Sequence, residues 1–372
     1  MNTRSTANAT RSQAVTKRIR PERSGNIAVL SVFFLVVMLS VIALAVDVGY
    51  LQCASTESQR SADAAAIAAT WKLLDQMGPN ANVTSATLAT VQSTATQYAA
   101  LNHVANAAPG LAAGDVDVGQ LGPPYNGTVP LSFSNPNQFN AVTVRVRRTA
   151  QDNGEVSLFF AKVFGRGSAA VESQATAAFL NNVAGFRAPA NGENINILPF
   201  ALDKETWGPS GPASGTTINL YPHGTGPPGN RGTVDIGSPN NTTADICRQI
   251  RTGVTEADLA HIGGEFQLNL KTGEGILNGD TGISAGVEDA LESIIGQKRC
   301  IPIFSSVVNP GNNATYTIIK FVGVKIRSVK LTGSLSKKEV LVEPCPIFMK
   351  GVIPGTGAPT SEYVYSPVWL VK

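Results

Sequence analysis

The first strong pattern along the chain is an apolar run that begins at Ile27 and ends at Val46. Only Ser31 and Ser40 interrupt the run with polar side chains. At about 1.5 Å per residue, a helix of this length is roughly 30 Å long, which equals the thickness of the hydrocarbon layer of a bilayer. The pattern therefore predicts a single transmembrane helix over residues 27–46.

After this run, the pattern changes from uniformly apolar to one-sided. Small or apolar residues recur at spacings of three or four, which places them on one face of a continuous helix, while Arg60 and Asp63 fall opposite. We predict that this face packs against partner helices, because small side chains let helix backbones approach closely. A plain stalk is the alternative, since alanine is also the best helix former. The predicted packing face comprises Asp47, Leu51, Ala54, Ser58, Ala62, Ala65 and Ala69.

Residues 84–103 carry a second helical pattern, with Thr84 in the position of a capping residue. Together with the small-residue helix, this segment predicts an alanine-rich helical stalk over residues 47–104.

The next segment changes to a strand pattern. Residues 141–149 alternate valines with polar side chains, which predicts a half-buried strand. Residues 156–165, with the sequence VSLFFAKVFG, predict a short buried helix that ends at Gly165, and residues 169–180 predict a returning strand. The order strand, helix, strand predicts a small α+β unit over residues 115–180.

Residues 195–372 are expected to form a strand-rich domain with short helices. Helix caps are indicated at Asn241 or Thr242, at Thr255 and at Ser284. Four runs predict a mostly antiparallel sheet, namely CIPIFSSVV, TYTIIKFVGVKIRSVKL, EVLVEPCPIFM and EYVYSPVWLVK. The fold class expected for the whole chain is α+β.

Charge is concentrated before the apolar run. Residues 1–26 contain six basic side chains and one acid, a charge of +5, whereas the formal charge of the whole chain is only +3. Basic residues before a span keep that end in the cytoplasm. We therefore expect a basic cytoplasmic tail over residues 1–26 and an extracytoplasmic location for the chain after Val46. The tail has neither a folded scaffold nor interleaved aromatic residues, so no nucleic-acid partner is expected.

Two other interpretations of the N-terminus remain open. A cleaved signal peptide needs a cleavage site of small residues, and Ala43 and Ala45 resemble such a site only weakly. A prepilin leader is cut after a glycine, and Gly25 is in place, but Leu30 stands five residues later, where such proteins carry Glu.

The segment from about residue 23 to 69 also resembles a known family. It enters the membrane with SGNIAVL, leaves it with ALAVDVGYL and continues into SADAAAIAA. These three stretches, in this order, are similar to the N-terminal segment of TadG-like proteins of the Flp pilus assembly (tight adherence) system. The resemblance implies a bacterial envelope protein, anchored by one helix, that serves the assembly or anchoring of thin adhesive pili, and it does not imply catalysis. The expected location is the bacterial inner membrane. Some TadG-like proteins carry a metal-binding D-x-S-x-S motif; the nearest string here is DTGIS, with Gly282 at the second ligand position.

Motifs for catalysis or cofactor binding are almost absent from the sequence. The three histidines, His103, His223 and His261, are far apart and do not occur in a zinc-binding spacing. The sequence contains no P-loop, dinucleotide fingerprint or nucleophile elbow. Asp280 begins the triplet DTG of aspartic proteases, but the residues around it favour a turn and a helix cap. We expect no enzyme activity, no metal and no cofactor.

The four cysteines are Cys53, Cys247, Cys300 and Cys345. Outside the cytoplasm they face an oxidising space in which disulfides persist. We predict a disulfide between Cys247 and Cys300, although sequence alone does not determine connectivity and buried, reduced thiols are the alternative. For Cys53 an intermolecular link is a further alternative.

The function predicted from these patterns is that of a non-catalytic, membrane-anchored component of Flp-type pilus assembly or tight-adherence secretion machinery. Its expected partners are other pilus-assembly membrane proteins or pilus subunits, the membrane, and a second copy of the chain in a homo-oligomer. The alternative is a membrane-tethered extracytoplasmic adhesin or ligand-binding protein, for which the helix is only a tether.

Overall fold

The computed structural model describes residues 25–77, 83–208, 211–212, 215–221, 231–311, 313–356 and 358–371. The predicted cytoplasmic tail lies outside these ranges except for its last two residues, and so does His223. The chain divides into two compact units. The smaller unit consists of Met1–Gln52 with Ser157–Ser168, and the larger unit consists of Cys53–Val156 with Ala169–Lys372.

Helices and strands alternate irregularly along the chain. In the described ranges the α-helices are α1 (Gly25–Asp75), α2 (Ser85–Leu101), α3 (Lys204–Trp207), α4 (Thr243–Thr252), α5 (Glu256–Ala260) and α6 (Glu288–Glu292). The strands are β1 (Val116–Gly119), β2 (Ala141–Arg148), β3 (Val156–Ser157), β4 (Ser168–Ala169), β5 (Val171–Ala178), β6 (Val183–Arg187), β7 (Phe200–Asp203), β8 (Ile218–Asn219), β9 (Arg231–Val234), β10 (Glu265–Gln267), β11 (Gly275–Thr281), β12 (Lys298–Val308), β13 (Ala314–Lys330), β14 (Glu339–Pro344), β15 (Ile347–Phe348), β16 (Val352–Pro354), β17 (Ser361–Glu362), β18 (Val364–Tyr365) and β19 (Trp369–Val371). This mixture of helix and strand is the predicted α+β class.

Helix α1 contains the whole predicted span, residues 27–46. The large side chains of this part are exposed, among them Phe33 at 62% and Val41 at 63%. A helix that is apolar on every side belongs in an apolar surrounding. By length and composition the helix is sufficient to cross a membrane. The sequence prediction of a long apolar helix at the N-terminus is confirmed.

In the larger unit, a four-stranded antiparallel sheet has the order β1-β2-β5-β19. Strand β2 is the predicted period-two strand: Val142, Val144 and Val146 are fully buried, while Arg145 pairs with Asp117 at 2.7 Å on the other face. Because β19 comes from the end of the chain, residues 115–180 share their sheet with residues 369–371. The proposed boundary between a 115–180 unit and a 195–372 domain stays a prediction.

Helix α2 begins at the cap that the sequence indicated. The Thr84 side chain accepts a hydrogen bond from the N–H of Thr87, and the Thr87 side chain accepts one from the N–H of Thr84. This reciprocal arrangement is a capping box, which satisfies two donors that the helix itself leaves free. Val91, Ala95 and Ala99 form the buried side of the helix.

The second large sheet of this unit has the order β11-β9-β7-β12-β13-β14-β8. The long pair β12 and β13 is antiparallel, as predicted, while β7 joins β12 in parallel. Helix α4, capped by Thr242, and helix α6 contribute Ile250 and Leu291 to one core cluster with Val322 of β13. A separate cluster contains Phe186, Phe321 and other buried side chains. Thr255 and Ser284 also act as the predicted caps.

Candidate functional site

Most of the predicted packing face lies on the part of α1 that belongs to the larger unit. Ala62, Ala65 and Ala69 have no exposed surface and belong to one buried cluster with Val142 and Val144 of strand β2. Protein interiors are close-packed, so side chains of this size allow a helix to lie near a sheet. Within this chain the face packs on the protein's own core. Its use by partner helices stays a prediction.

Hydrogen bonds fix the same helix to the elements around it. Ser58, which is fully buried, donates to the carbonyl oxygen of Val146 at 3.4 Å. Thr70 donates to the carbonyl oxygen of Ala177 in β5 at 3.2 Å. Ala54 is 1% exposed. Thus from Ala54 onward the alanine-rich segment packs within the larger unit, and the helical stalk over residues 47–104 stays a prediction.

Asp47 and Leu51, the first members of the face, belong to the smaller unit. Asp47 is 2% exposed, and its carboxylate accepts three consecutive backbone N–H groups: Phe159 at 2.8 Å, Phe160 at 2.9 Å and Ala161 at 2.6 Å. Hydrogen bonds to an ionised acceptor are the stronger class. One carboxylate therefore holds a segment that lies 112 residues later in the sequence. Leu51 is partly buried.

The charge state of Asp47 follows from these contacts. Burial by itself raises the pKa of the carboxyl group, but the three N–H donors and the nearby Lys162 ammonium act in the opposite direction and outweigh it. The pKa of Asp47 therefore lies below its ordinary value. The carboxylate is ionised at neutral pH, which is the state that accepts three hydrogen bonds.

The segment held by this carboxylate is an apolar loop and not the buried helix predicted over residues 156–165. A short 3-10 turn, Ala161–Phe164, is closed by Gly165 at φ 83°, a left-handed conformation that favours glycine. Val163 and Phe164 are 84% and 70% exposed. The prediction was wrong because a run of Phe and Val shows that side chains avoid water, but not whether protein or another apolar medium covers them.

All four cysteines are free in the structure. Cys247 packs at the border of the core cluster that contains Ile250, whereas Cys300 is fully buried in the cluster that contains Phe321. Burial raises the pKa of the Cys300 thiol far above its ordinary value, which makes this thiol unreactive. The predicted Cys247 to Cys300 disulfide is not formed here, and its formation stays a prediction. Cys53 is exposed on α1.

The residues weighed for catalysis or metal binding do not converge. Asp280 lies in strand β11, and burial raises its pKa. Asp235 nearby is 3% exposed, and burial together with the charge of Asp280 raises its pKa, while the N–H of Asn241 opposes that shift. Among the described residues, no group of three or more His, Cys, Asp and Glu side chains is placed to hold a metal ion.

Two protein families match the N-terminal part of the chain, which contains helix α1 and the apolar loop. Residues 25–76 match a family model described as Flp pilus-assembly TadE/G-like, and residues 68–177 match one described as Tad-like Flp pilus-assembly. These matches confirm the similarity to TadG-like proteins of Flp pilus assembly that the N-terminal segment indicated. Neither a curated protein nor a solved structure matches the chain.

The two family matches correspond to definite elements. The first covers helix α1, and the second continues through α2 and the strands β1, β2 and most of β5. The similarity seen in the sequence over residues 23–69 thus extends to residue 177, and it includes both the Asp47 carboxylate and the apolar loop. The Tad families are structural and assembly components, and membership links the chain to other components of the pilus system.

Proposed function

We propose that the chain is a non-catalytic component of Flp-type pilus assembly that is anchored in the bacterial inner membrane by one helix. The observation that carries the proposal is helix α1. Its first part is exposed and apolar, it lies within the TadE/G-like match, and its later part enters the core of the larger unit. One continuous element therefore joins a membrane segment to a folded domain.

The orientation follows from the distribution of charge. The basic residues before the span favour the cytoplasmic side for the N-terminus. The larger unit then lies outside the cytoplasm, where it is available to other membrane proteins of the system or to pilus subunits. The lipid-exposed part of the span is a further surface on which partner helices could pack, beside the predicted face.

The proposal is tested by complementation in the bacterium that carries the gene. A strain lacking the chain is supplied with the native protein, or with a double variant, Phe34→Arg and Leu39→Arg, that places charges in the span. Charged residues at the centre of a span are costly, by about 2.5–3.5 kcal/mol each on insertion scales. We expect the native chain to restore Flp pili and the double variant to be missing from the membrane fraction and to fail.

A matched control carries the same two changes at exposed apolar positions of the larger unit, Ile276→Arg and Val308→Arg, which are 73% and 56% exposed. This control should remain in the membrane. Normal pili in the strain that lacks the chain, or in the strain with the charged span, would overturn the proposal.

A further inference from the structure

The loop that Asp47 holds exposes an unusual amount of apolar surface. Phe159, Phe160, Val163 and Phe164 are 61%, 45%, 84% and 70% exposed. These four side chains lie within six consecutive residues, and contiguous exposed apolar patches mark interaction sites. The chain's own core does not cover them.

The position of the loop within the smaller unit indicates what covers these four side chains. Phe160, Val163 and Phe164 line an open groove of about 440 Å³ together with the α1 side chains Val36, Leu39, Ser40, Ile42, Ala43 and Val46. From Val36 to Val46 the helix rises by about 15 Å, half the thickness of the hydrocarbon layer. The loop therefore lies beside the half of the apolar run that ends at Asp47.

Most backbone N–H groups of the loop have the internal partners that hydrocarbon requires. Polar backbone groups in a bilayer must find partners within the protein. Asp47 accepts the N–H groups of residues 159, 160 and 161. Inside the loop, Leu158 donates to Gly167, Val163 to Phe160, Gly165 to Lys162 and Arg166 to Ala161, at 3.0 to 3.1 Å.

The charged residues of the loop fit the same location. Lys162 and Arg166 are exposed and stand on either side of Val163 and Phe164. Long basic side chains near a membrane surface extend toward lipid phosphates while their aliphatic parts stay in the apolar layer. An apolar turn with basic residues around it, and with no exposed acid among residues 158–167, suits an anionic lipid surface.

We propose that residues 158–166 insert into the leaflet that surrounds the Asp47 end of the span, and that lipid acyl chains fill the groove between this loop and α1. The inference rests on the proposed membrane anchor. The loop gives the protein a second contact with the bilayer, beside the single helix, and Asp47 is the positioning residue that joins the two.

The test uses the full chain in its native membrane and in liposomes of phosphatidylethanolamine and phosphatidylglycerol. A benzophenone amino acid, which reacts on illumination with nearby C–H bonds, replaces Phe164 or Val163 in separate variants. Val41 in the span, which is 63% exposed and does not line the groove, is the lipid-facing control, and Ile276 in strand β11, which is 73% exposed, is the control outside the loop. Transfer of one such side chain to hydrocarbon corresponds to at least about a tenfold partition.

We expect both loop positions to form lipid adducts as Val41 does, at least about tenfold above Ile276. The change Asp47→Ala should lower the adducts at residues 163 and 164 and leave those at Val41 unchanged. Lipid adducts at Val41 but not at either loop position would overturn the insertion while the anchor stands. Absence of adducts at Val41 would overturn the anchor and the insertion together. Adducts of the loop with a protein in native membranes would also overturn the lipid assignment.

Discussion

Two aspartates show how single carboxylates organise this chain. Asp258 lies beside Arg248, which donates to its two carboxylate oxygens at 3.0 and 2.6 Å, and it also accepts the N–H of Thr255 at 2.8 Å. Burial raises its pKa, but the guanidinium of Arg248 and the Thr255 donors lower it more, so the pKa lies below its ordinary value. Asp47 follows the same rule in the smaller unit with backbone donors.

The lowered pKa of Asp258 sets the sign of a pH dependence. A carboxyl group with a lowered folded-state pKa contributes stability above its unfolded pKa of about 3.9, and that stability is lost as the pH falls through the folded value. We expect Asp258→Asn to lower the melting temperature at neutral pH, and the difference from the native chain to shrink as the pH falls below about 4. Asp289→Asn, at an exposed acid of helix α6, is the control. A difference that stays constant across this pH range would contradict the assignment.

At the residue scale the sequence predicted some roles and missed others. Thr84, Thr255 and Ser284 were identified as caps because the cap signal is local. The segment that Asp47 contacts was not identified from the sequence. Its three donors lie 112 or more residues away, and they are backbone N–H groups, which carry no sequence signal. The only sequence signs of that contact were an aspartate at the end of an apolar run and a Phe-Phe pair in a short segment.

At the scale of elements, helix α1 carries two different packing requirements. Its first part needs an apolar surrounding on all sides, and its later part needs small side chains on one side only. Both patterns were visible in the sequence, because helical periodicity is local. What the later face packs against depends on β2 and β5, which lie over 70 residues further on, and periodicity does not show which surface is the partner.

The packing of this face is tested by one pair of matched substitutions on α1. Ala65 is fully buried, whereas Ala68 is only partly buried. We expect Ala65→Leu to lower the free energy of unfolding of the larger unit by about 1–3 kcal/mol through overpacking, and Ala68→Leu to change it by less than about 0.5 kcal/mol. Denaturant unfolding of the full chain in detergent measures both. Equal effects would show that the alanine face is not tightly packed.

The segment over residues 156–165 is the element that sequence reasoning placed wrongly. Its apolar residues fit a buried helix and the membrane-inserted loop that we propose equally well, since both remove side chains from water. The distinction came from Gly165, which closes the turn after Phe164, and from the Asp47 contact, which holds the loop beside the apolar part of α1. Composition alone does not contain that information.

At the scale of the whole molecule, the chain combines an apolar N-terminal helix, an exposed apolar loop and a folded α+β unit, and we propose that the helix and the loop lie in a membrane. The class was predictable because the apolar run, the alanine-rich continuation and the valine-rich strands are each strong local patterns. The order of the larger sheet and the parallel pairing of β7 with β12 were not predictable. They depend on contacts between distant segments.

The most direct test of the central claim is crosslinking in living cells with a chain that carries a C-terminal tag, followed by identification of the proteins trapped with it. The account predicts that membrane proteins of the Flp pilus system or pilus subunits are trapped, and that they are absent from an untagged strain. If only wall polymers or surface ligands are trapped, or nothing at all, the assembly role is contradicted and a tethered binding protein becomes the better description.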